Sequence, residues 1–360
     1  MSRIGISLYP DVSKNLSKDI EYLKLAKKYG FSRLFLNMLE ADDEAFNANK
    51  AICDAAKELG YNIVIDVTPN VFKKYNITYE DLSFFKSLNV DAIRLDEGFD
   101  GHKEAMMTLN PEGLKIEINA SSDTKTLDNI LSYKPYKSNL ITSHNFYPLK
   151  YSGLSYKQFE KTSKHIMSLG LSISTFVSSQ VEGSFGPWPV NEGLCSIEMH
   201  RKLPLDLQVR HLFASGLTND VMIANCYASE EELKSISNFH LGKLTMKAVL
   251  LDTISDVEKE ILFKQNHFVR GDMSEYIARS TMTRISYKDA YIPKTYTPFT
   301  LKRGDICILN EDYGRYKGEL HIILNNIEND GRINKVGHLL PEEMILLDFI
   351  EPWKAFEIIV

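Results

Sequence analysis

The chain has 360 residues, a net charge of −6, 44% hydrophobic residues and 25% charged residues. That length exceeds what one compact core usually holds, and the ordinary composition leaves no room for a long disordered tract, so a folded chain of two domains is expected. An acidic chain is a poor holder of a nucleic-acid backbone, and no apolar run approaches the roughly 18 residues of a spanning helix, so neither nucleic acid nor a membrane is expected as a partner.

The N-terminal MSRIGISLYPD has no apolar leader and enters strand-like alternation at once, from which a cytoplasmic location is expected. Eight strand-like runs follow: Arg3 to Tyr9, Arg33 to Met38, Asn62 to Val67, Asp91 to Asp96, Leu114 to Ala120, Asn139 to Phe146, Ser172 to Ser179 and Asp220 to Tyr227. Between them lie amphipathic stretches such as Asp19 to Tyr29 and Glu44 to Leu59, with Gly30, Gly60 and Gly170 where a helix ends in a left-handed residue. Eight β/α units in this span predict a (β/α)8 TIM barrel over residues 1–242. After a helix at Ser229 to Leu241 the pattern becomes β-rich, broken by turns such as Lys302-Arg303-Gly304-Asp305 and Asn329-Asp330-Gly331. Residues 243–360 therefore read as a small, mainly-β barrel domain with one helix at Asp256 to Phe263. Cys53, Cys195, Cys226 and Cys307 lie far apart, as reduced core thiols do, and neither disulfides nor zinc are implied.

Catalytic groups of such a barrel stand at the C-terminal strand ends, so alternation selects the candidates. Tyr9, Asn37, Asp66, Arg94 with Asp96, Glu117 with Asn119, and Asn225 with Tyr227 take the inward phase, while on the sixth run the phase is open between His144 and Asn145. Carboxylates converging with an arginine, amides and tyrosines suit a polyhydroxylated ligand. In Ile93-Arg94-Leu95-Asp96-Glu97-Gly98 two acids stand side by side: Arg94 keeps Asp96 ionised, and Glu97, if covered, keeps a raised pKa. An unequal acid pair is what glycosidic cleavage needs, and neighbouring acids also serve N-acetylated sugars by orienting the acetamido group as internal nucleophile. Glu117 competes as the partner of Asp96, and a purely structural Arg94–Asp96 ion pair is the opposing reading. The loop Gln180 to Trp188 carries glycines where this fold often binds phosphate. In the second domain, Arg270, Asp272 and Arg279 fall in an arginine-dense stretch suited to phosphate or carboxylate. The histidines show no metal-ligand spacing, so neither a metal nor another cofactor is expected.

The blocks GISLYP, IRLDEGF, EINASSD, SHNFYPLKYSGLS, GPWPVNEGLCSIEMHR, NDVMIANCYASEEEL and HFVRGDMSEYIARSTMTR resemble the bacterial 6-phospho-N-acetylmuramidases, glycoside hydrolase family 170. The resemblance implies a TIM barrel followed by a cyclophilin-like β domain. It implies hydrolysis of MurNAc-6-phosphate linked to GlcNAc in the cytoplasm, during peptidoglycan recycling. Glu192, in the fifth block, is a further candidate substrate contact and, with Glu117, the alternative acid to the Asp96 and Glu97 pair. Leu149-Lys150 and Cys195 depart from the family pattern and bear on fine substrate preference. Two other readings are a phosphosugar isomerase or lyase, with Glu117 or His144 abstracting a proton, and a non-catalytic sensor of cell-wall sugars.

Overall fold

The computed structural model describes residues 2–38, 43–95, 97–237 and 242–360, and the chain divides into two compact units, Met1–Asn238 and Phe239–Val360.

In the first unit, strands β1 (Arg3–Leu8), β2 (Arg33–Met38), β3 (Asn62–Val67), β4 (Ala92–Leu95), β5 (Lys115–Asn119), β6 (Leu140–Ser143), β7 (Ile173–Val177) and β8 (Asp220–Ile223) close into a parallel barrel in chain order. β8 pairs with β1, so no sheet edge remains. Apolar residues at every second position face the helices, as alternation requires. The helices begin and end on the expected signals. Ser155 accepts from the Gln158 amide and caps Tyr156–Ser168, and Gly30 and Gly60 adopt φ of 84° and 74°.

The barrel interior is layered. Along β2 the inward residues are Arg33, Phe35 and Asn37; along β7 they include Ser174 and Phe176. Phe35 and Phe176 meet edge to face at 5.1 Å, and both touch Phe146. This aromatic layer separates a lower ionic layer from the polar mouth at the C-terminal strand ends.

The second unit forms a seven-stranded sheet of β9 (Leu244–Leu250), β10 (His267–Phe268), β11 (Ile277–Ser280), β13 (Asp305–Leu309), β14 (Leu320–Ile323), β16 (Ile333–Leu339) and β17 (Ala355–Ile359). The spatial order is β10-β17-β9-β16-β13-β14-β11, with β9 and β17 parallel and the other pairs antiparallel. A hairpin-like pair, β12 (Thr300–Leu301) with β15 (Ile327–Glu328), stands beside it. The amide of Arg270, just past β10, donates to the Arg279 carbonyl on β11 at 2.8 Å, so the sheet curls until its two outer strands nearly meet. The helix Asp256–Phe263 starts on a capping box in which Ser255 and Glu258 satisfy each other's amides.

Candidate active site

The mouth of the barrel is organised by Arg94. Its guanidinium donates from Nε to Ser143 Oγ at 2.9 Å and from Nη1 to Asp66 Oδ1 at 2.7 Å, and Nη2 bonds the Asn145 side-chain oxygen. One planar fork thus ties β3, β4 and β6 together and holds a carboxylate and an amide around the opening. Arg94 and Asp66 are both nearly sealed from solvent, so this pair is well shielded. On β2, Asn37 is buried, and its Oδ1 has no hydrogen-bond partner among the described residues. A buried amide oxygen with no bond is costly in a folded protein unless something polar meets it.

Asp96 lies outside the described residues. Glu97, immediately after it, is exposed, so the cover expected for it is not supplied by the described residues. Asn119 is half-buried, and its Oδ1 accepts from the Ser121 amide at 2.8 Å, stabilising the turn after β5.

Four of the candidate residues have their side chains engaged elsewhere in the barrel. Glu117 does face inward, but it sits in the lower layer at 1% exposure, ion-paired to Arg33, which also pairs with Asp220. Burial opposes the charge of Arg33, yet the two carboxylates raise its pKa above the ordinary arginine value. Glu117 is therefore held away from the mouth, beneath the aromatic layer. His144 takes the outward phase and packs into the helix Tyr156–Ser168. Its Nε2 pairs with Ser163 Oγ at 2.9 Å, Phe159 stacks near it at 5.0 Å, and burial lowers its pKa to about 3. Asn145 is the inward residue of that strand end. Tyr9 is fully buried and spends its hydroxyl on the Ala224 carbonyl at 2.6 Å, and burial raises its pKa. Tyr227 turns to the helix Leu16–Lys28, donating to Asp19 Oδ1 at 2.8 Å and meeting Tyr22 edge to face.

Beside the mouth, at the ends of β7 and β8, lies a cavity of about 330 Å³ lined by Lys150, Ser179, Gln180, Ser184, Glu192, Lys202 and Asn225, among others. Asn225 builds its wall: it accepts from the Ser179 amide at 2.8 Å and donates to the Ser179 carbonyl and to Ser184 Oγ. Glu232, from the helix Glu230–Ser237, accepts from Ser179 Oγ and the Gln180 amide and holds the same loop from below. Arg201 pins the opposite wall through Glu198 and the carbonyls of Tyr147, Glu192 and Gly193. Its hydrogen bonds hold Glu198 at a pKa of about 2. Glu192 is exposed and paired with Lys150, whose amide and ammonium lower its pKa. Lys202 makes no ion pair among the described residues and leaves a positive charge at the rim. The volume suits a small ligand, and the position is the one where this fold often receives phosphate.

In the second unit, Arg270 pairs with Asp272, and Arg279 donates to Glu319 Oε1 at 2.7 Å. Arg33 and Ser143 were missed as interior polar residues, although the alternation that selected Asn37 also selects Arg33. Glu319, Lys202 and Arg201 had no comparable local signal, since their partners are distant in the chain. Among the described residues, no group of three or more His, Cys, Asp or Glu side chains is placed to hold a metal ion, and no helix is long and apolar enough to cross a membrane.

Family models for the N-terminal and C-terminal parts of 6-phospho-N-acetylmuramidase match residues 4–238 and 244–359. An uncharacterized B. cereus protein of known structure is 43% identical with a TM-score of 0.93, over 100% of this chain and 99% of its own. A conserved Enterococcus faecalis protein of unknown function shares the fold at a TM-score of 0.76 and 23% identity, over 100% of this chain and 96% of its own. No curated protein matches the chain. The matches run through both units, barrel and β domain alike, and the chain belongs to the 6-phospho-N-acetylmuramidase family and is a glycosidase.

Proposed function

We propose that this glycosidase hydrolyses MurNAc-6-phosphate-GlcNAc to MurNAc-6-phosphate and GlcNAc, with Asp96 and Glu97 as its working acids. The reaction breaks the bond between C1 of the muramoyl ring and the bridging oxygen. One acid gives its proton to that oxygen, which leaves as a GlcNAc hydroxyl. The other stabilises the positive charge that develops at C1, directly or by orienting the acetamido oxygen, until water adds hydroxide to C1 and returns the proton. Asp66, Asn37 and Asn145 bind ring hydroxyls, and the cavity at the ends of β7 and β8 receives the 6-phosphate beside Lys202.

The observation that carries this reading is the Arg94 fork. It gathers Asp66 and Asn145 around one opening, next to the unbonded Asn37 oxygen and directly before the acid pair in sequence. Glu117, committed to Arg33, leaves the working set.

The test is release of GlcNAc from the phosphorylated disaccharide and from its unphosphorylated twin, by the native chain and by Asp96→Asn and Glu97→Gln. The native chain is expected to prefer the phosphorylated substrate, and each variant to lose about 10²-fold or more in kcat while keeping its fold. Near-native turnover by both variants would overturn the assignment of the acids, and no release from either disaccharide would overturn the substrate. Solvent deuterium incorporated into an unhydrolysed product would favour the isomerase or lyase.

A further inference from the structure

Four of the chain's eleven arginines, Arg270, Arg279, Arg284 and Arg315, gather in one place in the second unit. The centre is Glu319, at 1% exposure, which accepts from Arg279 at 2.7 Å and from Arg284 at 3.2 Å. Beside it stands Tyr316. Arg284 lies over its ring at 5.2 Å and Arg315 at 4.8 Å, and Arg315 also donates to its hydroxyl at 2.7 Å. Arg270 joins the group at its edge: its backbone amide donates to the Arg279 carbonyl at 2.8 Å, and its guanidinium pairs with Asp272. The hydrogen bond and charge of Arg315 lower the pKa of Tyr316. Three guanidiniums thus meet the carboxylates of Glu319 and Asp272, and the fourth, that of Arg315, lies over Tyr316. Gathering like charges costs free energy, which an incoming anion returns, and arginine forks match phosphate oxygens in geometry.

A second feature adjoins the first. A cavity of about 560 Å³ is lined by Arg270, Phe268, Met282 and Trp353, so Arg270 belongs both to the charged group and to an aromatic hollow. Trp353 is 73% exposed and Phe268 49%. Trp353 also adopts a left-handed backbone with φ of 66°, which few non-glycine residues do, and its amide is pinned to the Val269 carbonyl at 2.9 Å. The indole lies against Gly271, where an added Cβ would come within 2.7 Å of the ring nitrogen. An exposed, braced tryptophan beside a charged group suits the apolar face of a sugar ring.

We infer that the second unit carries a sugar-phosphate site of its own, with the phosphate on the arginines and the ring on Trp353. Glu319 is its positioning residue, aiming Arg279 and Arg284. The choice of a sugar as the bearer of the phosphate rests on the proposed function. Because the substrate's 6-phosphate belongs in the cavity at the ends of β7 and β8, the phosphate here is that of a separate sugar phosphate, and substrate kinetics test this.

The chain has two tryptophans, so in the full-length Trp188→Phe protein Trp353 is the single indole fluorophore. Titration with N-acetylglucosamine 6-phosphate is expected to change its emission saturably, and N-acetylglucosamine to bind at least about tenfold more weakly. Arg315→Ala, at an exposed position that does not threaten folding, and Arg270→Ala are each expected to weaken the sugar phosphate by about tenfold. Gly271→Ala is expected to weaken it by displacing the indole while leaving the charge intact. Arg315→Ala is expected to leave KM and kcat for the phosphorylated disaccharide unchanged, and a raised KM would overturn the assignment to a separate sugar phosphate. Absence of any Trp353 response, or equal affinity in the native and both arginine proteins, would overturn the site. A chain that fails to hydrolyse the disaccharide while Trp353 still responds would defeat the proposed substrate and leave this site standing.

Discussion

Glu117→Gln separates a structural from a catalytic carboxylate. In the native barrel Arg33 is 2% exposed and is neutralised by Glu117 and Asp220, while Arg3, partly exposed, bonds Asp220 from the rim. Glutamine preserves shape and one acceptor but removes a negative charge, leaving two guanidiniums against a single carboxylate. Breaking a buried pair by removing one partner costs about 3–5 kcal/mol. At about 2–4 °C per kcal/mol for a unit of this size, the unfolding midpoint should fall by roughly 6–20 °C. Turnover by the folded fraction, assayed well below that midpoint as release of GlcNAc, should stay within about threefold of native, since no atom at the mouth has changed. Replacing the pair by apolar residues, Arg33→Met with Glu117→Leu, should restore much of the lost stability, because Asp220 keeps Arg3 and no charge is stranded. A Glu117→Gln protein with native thermal stability and a kcat reduced by about 10²-fold or more would refute this reasoning and return Glu117 to the chemistry.

Three further outcomes follow from the same geometry. Arg94→Lys keeps the charge but cannot bridge β3, β4 and β6; losing two charge-assisted hydrogen bonds, together about 3 kcal/mol, should lower kcat/KM on the phosphorylated disaccharide by about 10²-fold, and a change under threefold would contradict it. His144 is neutral in the folded chain down to about pH 3, whereas an unfolded histidine takes its proton near pH 6.5. The unfolded state then binds the extra proton between those values, so stability falls on acidification by up to about 1.4 kcal/mol per pH unit from this residue; in urea unfolding from pH 6.5 to 4, His144→Gln should show a shallower loss than native, with kcat within about threefold. Lys202→Ala should raise KM for the phosphorylated disaccharide by about tenfold and leave hydrolysis of its unphosphorylated twin unchanged; equal effects on both would remove the phosphate from that cavity.

Local patterning already specified most of the barrel. Each strand's alternation sorts its side chains into two faces, and glycines such as Gly30 mark helix ends because only a residue without Cβ adopts φ of 84° at no cost. Asp66, Asn37 and Arg94 could therefore be named as inward residues from the sequence alone. Which height each occupies along the barrel axis was set by closure. Arg94 and Glu117 are register partners on adjacent strands, yet one guanidinium reaches up to Asp66 and Asn145 while Glu117 meets Arg33 below the Phe35 and Phe176 layer. Strand stagger fixes that difference, and no single segment encodes it. At the end of β6, the choice between His144 and Asn145 fell to packing, since the helix Tyr156–Ser168 supplies Ser163 and Phe159 as partners for the imidazole. The groups that meet around Glu319 come from separate strands and turns, joined only when the second sheet curls. Periodicity assigns a face to a residue; the folded chain alone assigns its neighbours, because contacts between distant segments arise only from the packing of whole elements.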